Sequence, residues 1–156
     1  MSNISSFIEK PRYPKGFLLN SESLTYKPTA EVNTAVGTVI HSWNYTPVSN
    51  NSLLILDTTL KFYCHSGGAM RAAWYINGTW TGNNCLFSSG YNSGIRNIHI
   101  SGSDSYVNNS LNTLSMQLKV TYRSGDGSSA AVIAANEDNY IRVKEIQLWV
   151  ISVIFI

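Results

Sequence analysis

Residues 114–145 constrain the fold more than any other part of the chain, because apolar and polar residues alternate along the first part of this segment. One side of an extended chain would carry Leu114, Met116, Leu118, Val120 and Tyr122. A period of two is that of a β-strand with one buried face. Turn-forming residues at 124–127 and 136–139 then separate two shorter strands. The pattern predicts an antiparallel sheet with one face against a core.

Strand patterns continue through most of the chain beyond residue 37. The predicted strands cover residues 38–45, 53–64, 70–76, 96–101, 114–123, 131–135 and 140 to about 150. Asn77 and Gly78 predict a tight type I′ hairpin, because both residue types tolerate a positive φ. No segment shows a capped helical period. Residues 36–156 are therefore predicted to form an all-β, antiparallel β-sandwich, resembling a jelly roll.

Residues 1–35 differ from the rest of the chain. Pro11, Pro14 and Pro28 interrupt any regular pattern, and seven charged residues occur in this part of the chain. Proline fixes φ and removes a backbone donor, which disfavours central strands and helices. We expect an extended lead-in that joins a shaft or wraps a neighbouring chain.

The composition restricts the classes of partner. Only 13% of the residues are charged, 44% are hydrophobic and the formal net charge is +2. A nucleic-acid-binding domain normally carries a dense basic patch, so nucleic acid is an unexpected partner. A polar but weakly charged surface suits sugars or copies of the same chain. Cys64 and Cys85 are interpreted as two free thiols, and a single bridge between them stays open.

Two stretches are too apolar for a strand with one wet face. Residues 53–56 are apolar on both sides, and residues 146–156 are almost uninterrupted hydrophobic sequence. Eleven residues are too few for a membrane-spanning helix, which needs about twenty, so no membrane insertion is expected. Both faces of such strands must be covered. A neighbouring subunit is the favoured cover, with another layer of the same domain as the alternative.

The sequence contains no recognisable catalytic or metal-binding motif. His41, His65 and His99 are scattered without a metal-ligand spacing, and neither a GxSxG motif nor a glycine-rich phosphate loop occurs. Asp57 follows an apolar stretch and could belong to a general acid–base pair. Its simpler interpretation is an outward strand residue paired with a Lys or Arg. We therefore expect a protein that is not an enzyme and has no cofactor.

Three aromatic residues fall in segments rich in small polar residues, which are interpreted as loops. The candidate ligand-binding rings are Trp80, Tyr91 and Tyr106, and the candidate hydrogen-bonding residues are Asn83, Asn84, Asn92 and Asp104. A flat ring can stack on the C–H patches of a sugar while amides and carboxylates bind its hydroxyls. The alternative is that each ring folds back and caps the sandwich. The segments are hence candidates for glycan binding.

Residues 39–146 resemble the C-terminal receptor-binding tip domains of bacteriophage tail fibres and tail spikes. The similar segments are 53–62 (LLILDTTLKF), 74–79 (WYINGT), 118–127 (LKVTYRSGDG) with 132–136 (VIAAN), and 140–146 (YIRVKEI). The resemblance implies a homotrimeric β-sandwich located in the virion, at the tip of a tail fibre or spike. It also implies attachment to a bacterial surface polysaccharide or lipopolysaccharide.

Two other functions compete with host attachment. The chain could be a trimerisation and folding module of a larger spike, without its own ligand site. It could also be a polysaccharide-degrading subunit, in which case Asp57 or Asp104 would be essential.

Overall fold

The computed structural model describes residues 16–29, 32–33, 35–64, 69–83, 86–89, 96–124 and 131–148. These residues form eleven strands: β1 (Leu18–Tyr26), β2 (Val32–Asn33), β3 (Val39–Tyr45), β4 (Ser52–Cys64), β5 (Ala69–Ile76), β6 (Thr79–Trp80), β7 (Leu86–Ser89), β8 (Arg96–Asn108), β9 (Leu114–Ser124), β10 (Ala131–Ile133) and β11 (Asn139–Gln147). No helix in the described part of the chain is long and apolar enough to cross a membrane.

The strands form two antiparallel sheets. In the first sheet, β4 lies between β8 on one side and β11 and β10 on the other, and β1 and β2 complete the outer edge. In the second sheet the order is β3, β9, β5, and the edge of β5 pairs with β6 at one end and β7 at the other. The predicted all-β, antiparallel β-sandwich is confirmed. Its jelly-roll connectivity and its trimeric state stay predictions.

The core lies between the two sheets and follows the alternation seen in the sequence. Leu54, Leu56 and Leu60 of β4 are buried, as are Trp74 and every second residue of β9 from Leu114 to Val120. A fully buried side chain of this size stabilises the fold by about 2 kcal/mol relative to an exposed one. Leu53 and Ile55 are partly exposed and face outward, so residues 53–56 carry apolar side chains on both faces of the sheet, as expected.

Tyr122 was predicted on the buried side of β9, and this prediction is wrong. Its side chain is 45% exposed, whereas Val120 is only 1% exposed. The pairing of β5 with β9 shifts by one residue between Arg71 and Ala72, which lie opposite Tyr122 and Val120. An extra residue in one strand reverses the face of the residues beyond it. The bulge therefore turns Tyr122 outward.

Two segments of the predicted N-terminal lead-in belong to the first sheet. Residues 18–26 were assigned to the lead-in, but they form β1 and pair with β11 along their length. Val32 and Asn33 also pair with β10. The strand pattern of β1 is weak because its side chains are mostly polar and exposed. Backbone pairing with the edge of β11, which the sequence does not reveal, places it in the sheet.

The hairpin prediction at Asn77 and Gly78 is confirmed. Asn77 has φ 50° and Gly78 has φ 82°. Positive φ at both central residues is the requirement of a type I′ turn. The turn sets Tyr75 directly opposite Trp80.

Candidate functional site

The outer face of the second sheet carries a cluster of aromatic side chains. Trp80 is 47% exposed, Tyr122 is 45% exposed and Tyr75 is half-buried. Together with Arg71 and Thr121 they line an open depression of about 390 Å³. We call this surface the aromatic face. Exposed rings beside an open depression can accept the apolar side of a flat ligand.

Two features of the backbone assemble the aromatic face. The β5–β6 hairpin pairs Tyr75 with Trp80, so both rings lie on the same side of the sheet. The bulge in β9 brings Tyr122 to that side, opposite Arg71. The face thus combines residues from three strands, and it exists only when the hairpin register and the bulge are both in place.

Two cations lie over the rings of the aromatic face. The guanidinium carbon of Arg71 is 5.3 Å from the ring centroid of Tyr122. Nζ of Lys119 is 4.8 Å from the ring centroid of Tyr75. Cation–π contacts at exposed sites contribute about 0.5–1 kcal/mol each. These contacts keep a positive charge next to the rings of Tyr122 and Tyr75.

The turn after β6 holds Trp80 in position. Nε1 of Trp80 donates a hydrogen bond of 3.1 Å to the carbonyl of Asn83. The backbone N–H of Thr81 donates a hydrogen bond of 3.0 Å to the carbonyl of Trp74, and the hydroxyl oxygen of Thr81 lies 3.0 Å from the same carbonyl oxygen. The indole is therefore tied to its own turn while much of its ring stays exposed.

Asp104 fastens this turn to the first sheet. It lies on β8 and is only 4% exposed. Its carboxylate accepts hydrogen bonds from the hydroxyl of Thr81, from Nδ2 of Asn83 at 3.1 Å and from the N–H of Ser105 at 2.7 Å. A buried carboxylate needs such donors. Asp104 thus acts as a positioning residue beneath Trp80.

Asp104→Leu is expected to lower the free energy of unfolding by about 2 kcal/mol, because donors that bond the carboxylate lose their acceptor. Asp104→Asn keeps one acceptor oxygen and is expected to cost less than half as much. Urea denaturation of both variants measures the difference. Equal losses for Leu and Asn would show that the hydrogen bonds do not matter here.

The structure brings together only part of the site predicted from the sequence. Trp80, Asn83 and Asp104 are adjacent through the hydrogen bonds above. Tyr91, Asn84 and Asn92 lie outside the described residues. Tyr106 and Asp104 were predicted in an exposed loop, and this placement is wrong, because β8 continues to Asn108 and pairs along the whole of β4.

The misplacement of Tyr106 has a sequence cause. Small polar residues fill the outward positions 101, 103 and 105 of β8, and this composition is typical of a loop. Tyr106 is half-buried and packs against the core, next to Leu54 of β4. The position of Tyr106 fits the alternative interpretation, in which the ring packs onto the sandwich.

Sequence reasoning missed Tyr75, Tyr122, Arg71 and Lys119. Tyr75 could have been found, because the Asn77–Gly78 turn fixes its pairing with Trp80. Tyr122 and its partner Arg71 could not, since the position of the bulge depends on how β5 and β9 pair.

Asp57 is an outward strand residue in an ion pair, as the simpler interpretation of the sequence predicted. Its carboxylate lies 2.6 Å from Nζ of Lys144 and accepts a hydrogen bond of 2.9 Å from Ser103. Burial alone would raise the pKa of Asp57, but the bonds from Lys144 and Ser103 and the charges of Lys144 and Arg142 lower it overall. These partners account for the carboxylate without a catalytic role.

Asp57→Asn is expected to lower the free energy of unfolding by less than about 1 kcal/mol at pH 7, because the pair is over a third exposed. The folded pKa lies below the unfolded one, so the contribution is full above about pH 4. It disappears as the pH falls through the folded pKa. Urea denaturation at pH 7 and pH 2 should show the wild type and the variant converging in acid. A difference that persists at pH 2 would contradict this account.

The titratable residues of the described segments form no metal centre. Among these residues, no three His, Cys, Asp or Glu side chains gather into a group that could hold a metal ion. His41 lies 5.5 Å from the ring of Tyr26, and burial lowers the pKa of its imidazole. The described part of the structure does not include the side chains of Cys64, Cys85, His65 and His99. The pairing of the two cysteines therefore stays open.

Comparison with known proteins finds only remote similarity. No family model and no curated protein matches the chain. Among solved structures, dimeric latent PorU from Porphyromonas gingivalis has a TM-score of 0.42 and 11% identity, and the similarity covers 81% of this chain but only 13% of PorU. The CBM36-1 domain of a multidomain xylanase from the hindgut metagenome of Trinervitermes trinervoides has a TM-score of 0.38 and 15% identity, with 80% of this chain and 96% of that chain covered.

A third solved structure is the C-terminal domain of EclA, described as a sugar-binding protein. It has a TM-score of 0.32 and 10% identity, over 94% of this chain and 87% of that chain. All three scores are low, so the strand pairing of the chain itself defines its architecture.

Proposed function

We propose that the chain is a glycan-binding domain that uses the aromatic face. The observation that carries this proposal is the joint position of Trp80, Tyr75 and Tyr122 on one sheet face, around an open depression. Sugar rings present C–H patches that stack on aromatic faces, and their hydroxyls bond to nearby polar groups.

The finer proposal is host attachment by a phage tail fibre or spike. It is supported by the sequence resemblance over residues 39–146, and it makes the ligand a bacterial surface polysaccharide or lipopolysaccharide. In this setting the chain binds sugar without cleaving it. When several copies lie on one fibre, binding at one weak site raises the effective concentration of the polysaccharide at the other sites, so the fibre binds more tightly than a single copy.

A row of apolar side chains on the outer face of the first sheet supports association between copies. In cross-strand register the row contains Leu18, Ile146, Leu53 and Val107. Leu18 is 51% exposed and Val107 is 63% exposed. The chain continues from this end of β11 into the apolar residues 149–156. A second and third copy of the chain would cover this row, which is on the sheet opposite the aromatic face.

The glycan proposal is tested with a panel of bacterial surface polysaccharides and the intrinsic fluorescence of tryptophan. Trp80 is exposed whereas Trp74 is buried. A ligand that covers the aromatic face is expected to protect the exposed indole from acrylamide quenching. Trp80→Phe should bind the same ligand without that protection.

Two results would contradict the glycan proposal. The first is no binding to any polysaccharide at micromolar protein concentration. The second is binding with the same protection in the wild type and in Trp80→Phe, because the ligand would then lie elsewhere.

The association proposal is tested by measuring the native mass in solution, where a trimer is expected. Val107→Glu places a charge in the apolar row and should reduce the mass to that of one chain. Leu111→Glu is the control, since Leu111 is 55% exposed but lies outside the row. A monomeric wild type would overturn the trimer, and with it the support that it lends to the tail-fibre assignment.

A further inference from the structure

The strands of the second sheet carry cations and no carboxylates. Strands β3, β5, β6, β7 and β9 contain no Asp and no Glu, while Arg71, Lys119 and Arg123 lie on β5 and β9. The chain as a whole is nearly balanced, with eleven Lys and Arg against nine Asp and Glu. The strands of the sheet that carries the aromatic face therefore hold positive charge with no carboxylate among their own residues.

In the first sheet and its turns, cations and carboxylates occur together and form ion pairs. Their ion pairs are Lys27–Asp138, Lys61–Glu137 and Lys144–Asp57. Each pair neutralises a lysine by a nearby carboxylate. The strands of the two sheets hence differ in their balance of cations and carboxylates, and the sequence order alone does not display this difference.

Two of the three cations on β5 and β9, Arg71 and Lys119, lie at the rings of the depression. Arg71 lines it and lies over Tyr122, and Lys119 lies over Tyr75. Asp104 approaches the turn of Trp80 from the other sheet, but its carboxylate is buried beneath three donors. A ligand stacked on these rings would thus meet positive charge at two of them.

We propose that the aromatic face selects polysaccharides that carry carboxylate or sulfate groups. The rings would hold the flat side of the sugar, while Arg71 and Lys119 pair with its acidic substituents. Charge-assisted hydrogen bonds from Arg and Lys to such groups are stronger than neutral ones, and a surface of one sign attracts the opposite charge. This inference depends on the proposed glycan-binding function, and it adds the chemical class of the ligand.

The test compares polymers that differ only in charge. Polygalacturonate is compared with the same polymer after its carboxylates are reduced to hydroxymethyl groups, and dextran sulfate is compared with dextran. At low ionic strength, the intact chain is expected to bind at least one acidic polymer about tenfold more tightly than its neutral partner. Raising the salt concentration should reduce this ratio, because screening weakens charge interactions.

Variants of the two cations localise the effect. Arg71→Gln and Lys119→Gln, singly and together, should bring the ratio of acidic to neutral affinity towards one. Arg142→Gln is the matched control, because Arg142 is an exposed arginine on the outer face of the first sheet. Thermal unfolding confirms that each variant is folded, and Lys119→Gln remains informative if Arg71→Gln does not fold.

The possible outcomes separate this inference from the proposed function. Equal affinity for the acidic and neutral polymers would overturn the acidic selectivity and leave glycan binding intact. If the chain bound no polymer in this comparison and no polysaccharide of the panel, both the acidic selectivity and the glycan-binding function would be overturned. An equal loss with Arg142→Gln, or tighter binding of a single-stranded oligonucleotide than of any acidic polysaccharide, would also overturn the inference.

Discussion

Replacing Glu145 by leucine is expected to lower the free energy of unfolding by about 4 kcal/mol, the largest effect of any substitution considered for this chain. Glu145 lies on β11 and is fully buried. Its carboxylate accepts four hydrogen bonds: from the hydroxyl of Tyr45 at 2.8 Å, the N–H of Val48 at 2.8 Å, the N–H of Ser49 at 2.9 Å and the hydroxyl of Ser52 at 2.7 Å. A leucine would leave all four donors without this acceptor.

The size of the effect follows from the surroundings of the carboxylate. Tyr45 and Ser52 are themselves fully buried, so water cannot readily replace the lost acceptor. Burial raises the pKa of the Tyr45 hydroxyl, and the hydrogen bond to Glu145 raises it further, so this group remains a donor at ordinary pH. Glu145 thereby holds the loop of residues 46–51, which joins β3 to β4, against β11.

Urea denaturation of Glu145→Leu and Glu145→Gln measures this contribution. Glutamine keeps one acceptor oxygen and the shape of the side chain, so we expect it to cost about half as much as leucine. A loss below about 1 kcal/mol for leucine would mean that the four donors find other partners, and the interpretation of Glu145 as the closing group of this loop would be wrong.

The second large effect is expected on ligand binding. Trp80→Ala should weaken binding to the recognised polysaccharide by at least about tenfold, and Trp80→Ala with Tyr122→Ala by about a hundredfold. Trp and Tyr are enriched among the hot-spot residues of binding surfaces, whose truncation costs about 2 kcal/mol or more, and about 1.4 kcal/mol corresponds to tenfold in affinity. Titration calorimetry or affinity electrophoresis with the polymer identified by the panel provides the measurement.

Tyr140→Ala is the matched control for the two ring variants. Tyr140 is 53% exposed but lies on β11, on the outer face of the first sheet. Its removal should leave the affinity unchanged. A loss of affinity in Tyr140→Ala similar to that in Trp80→Ala would move the binding site away from the aromatic face. All three rings are about half exposed, so we expect each single variant to remain folded.

The rules that link sequence to structure succeeded where a residue's environment depends on its near neighbours in the chain. The Asn77–Gly78 turn is such a case, since its backbone angles follow from the two residue types. The buried side of β9 up to Val120 is another, because a period of two fixes which side chains share a face. Asp57 also matched its simpler interpretation, since an outward strand carboxylate finds a lysine one strand away.

The failures occurred where pairing between distant segments decides the outcome. The polar strand β1 joins the sheet only because the edge of β11 is available. Ser101 to Asn108 resemble a loop in composition, but their backbone continues the pairing of β8 with β4. In both places, hydrogen bonds between main chains determine the structure, and main-chain hydrogen bonds leave little trace in side-chain composition.

The amino-acid sequence by itself determined the fold class, most of the strands and the type I′ turn at Asn77 and Gly78, because these depend on local periodicity and turn chemistry. Only the tertiary structure decided that Tyr122 faces solvent, that Asp104 is buried under the turn of Trp80, and that one sheet carries cations without carboxylates. These features depend on a single-residue bulge and on the register of strands far apart in the chain. A shift of one residue in such a register exchanges the two faces of a strand, and no local pattern fixes it.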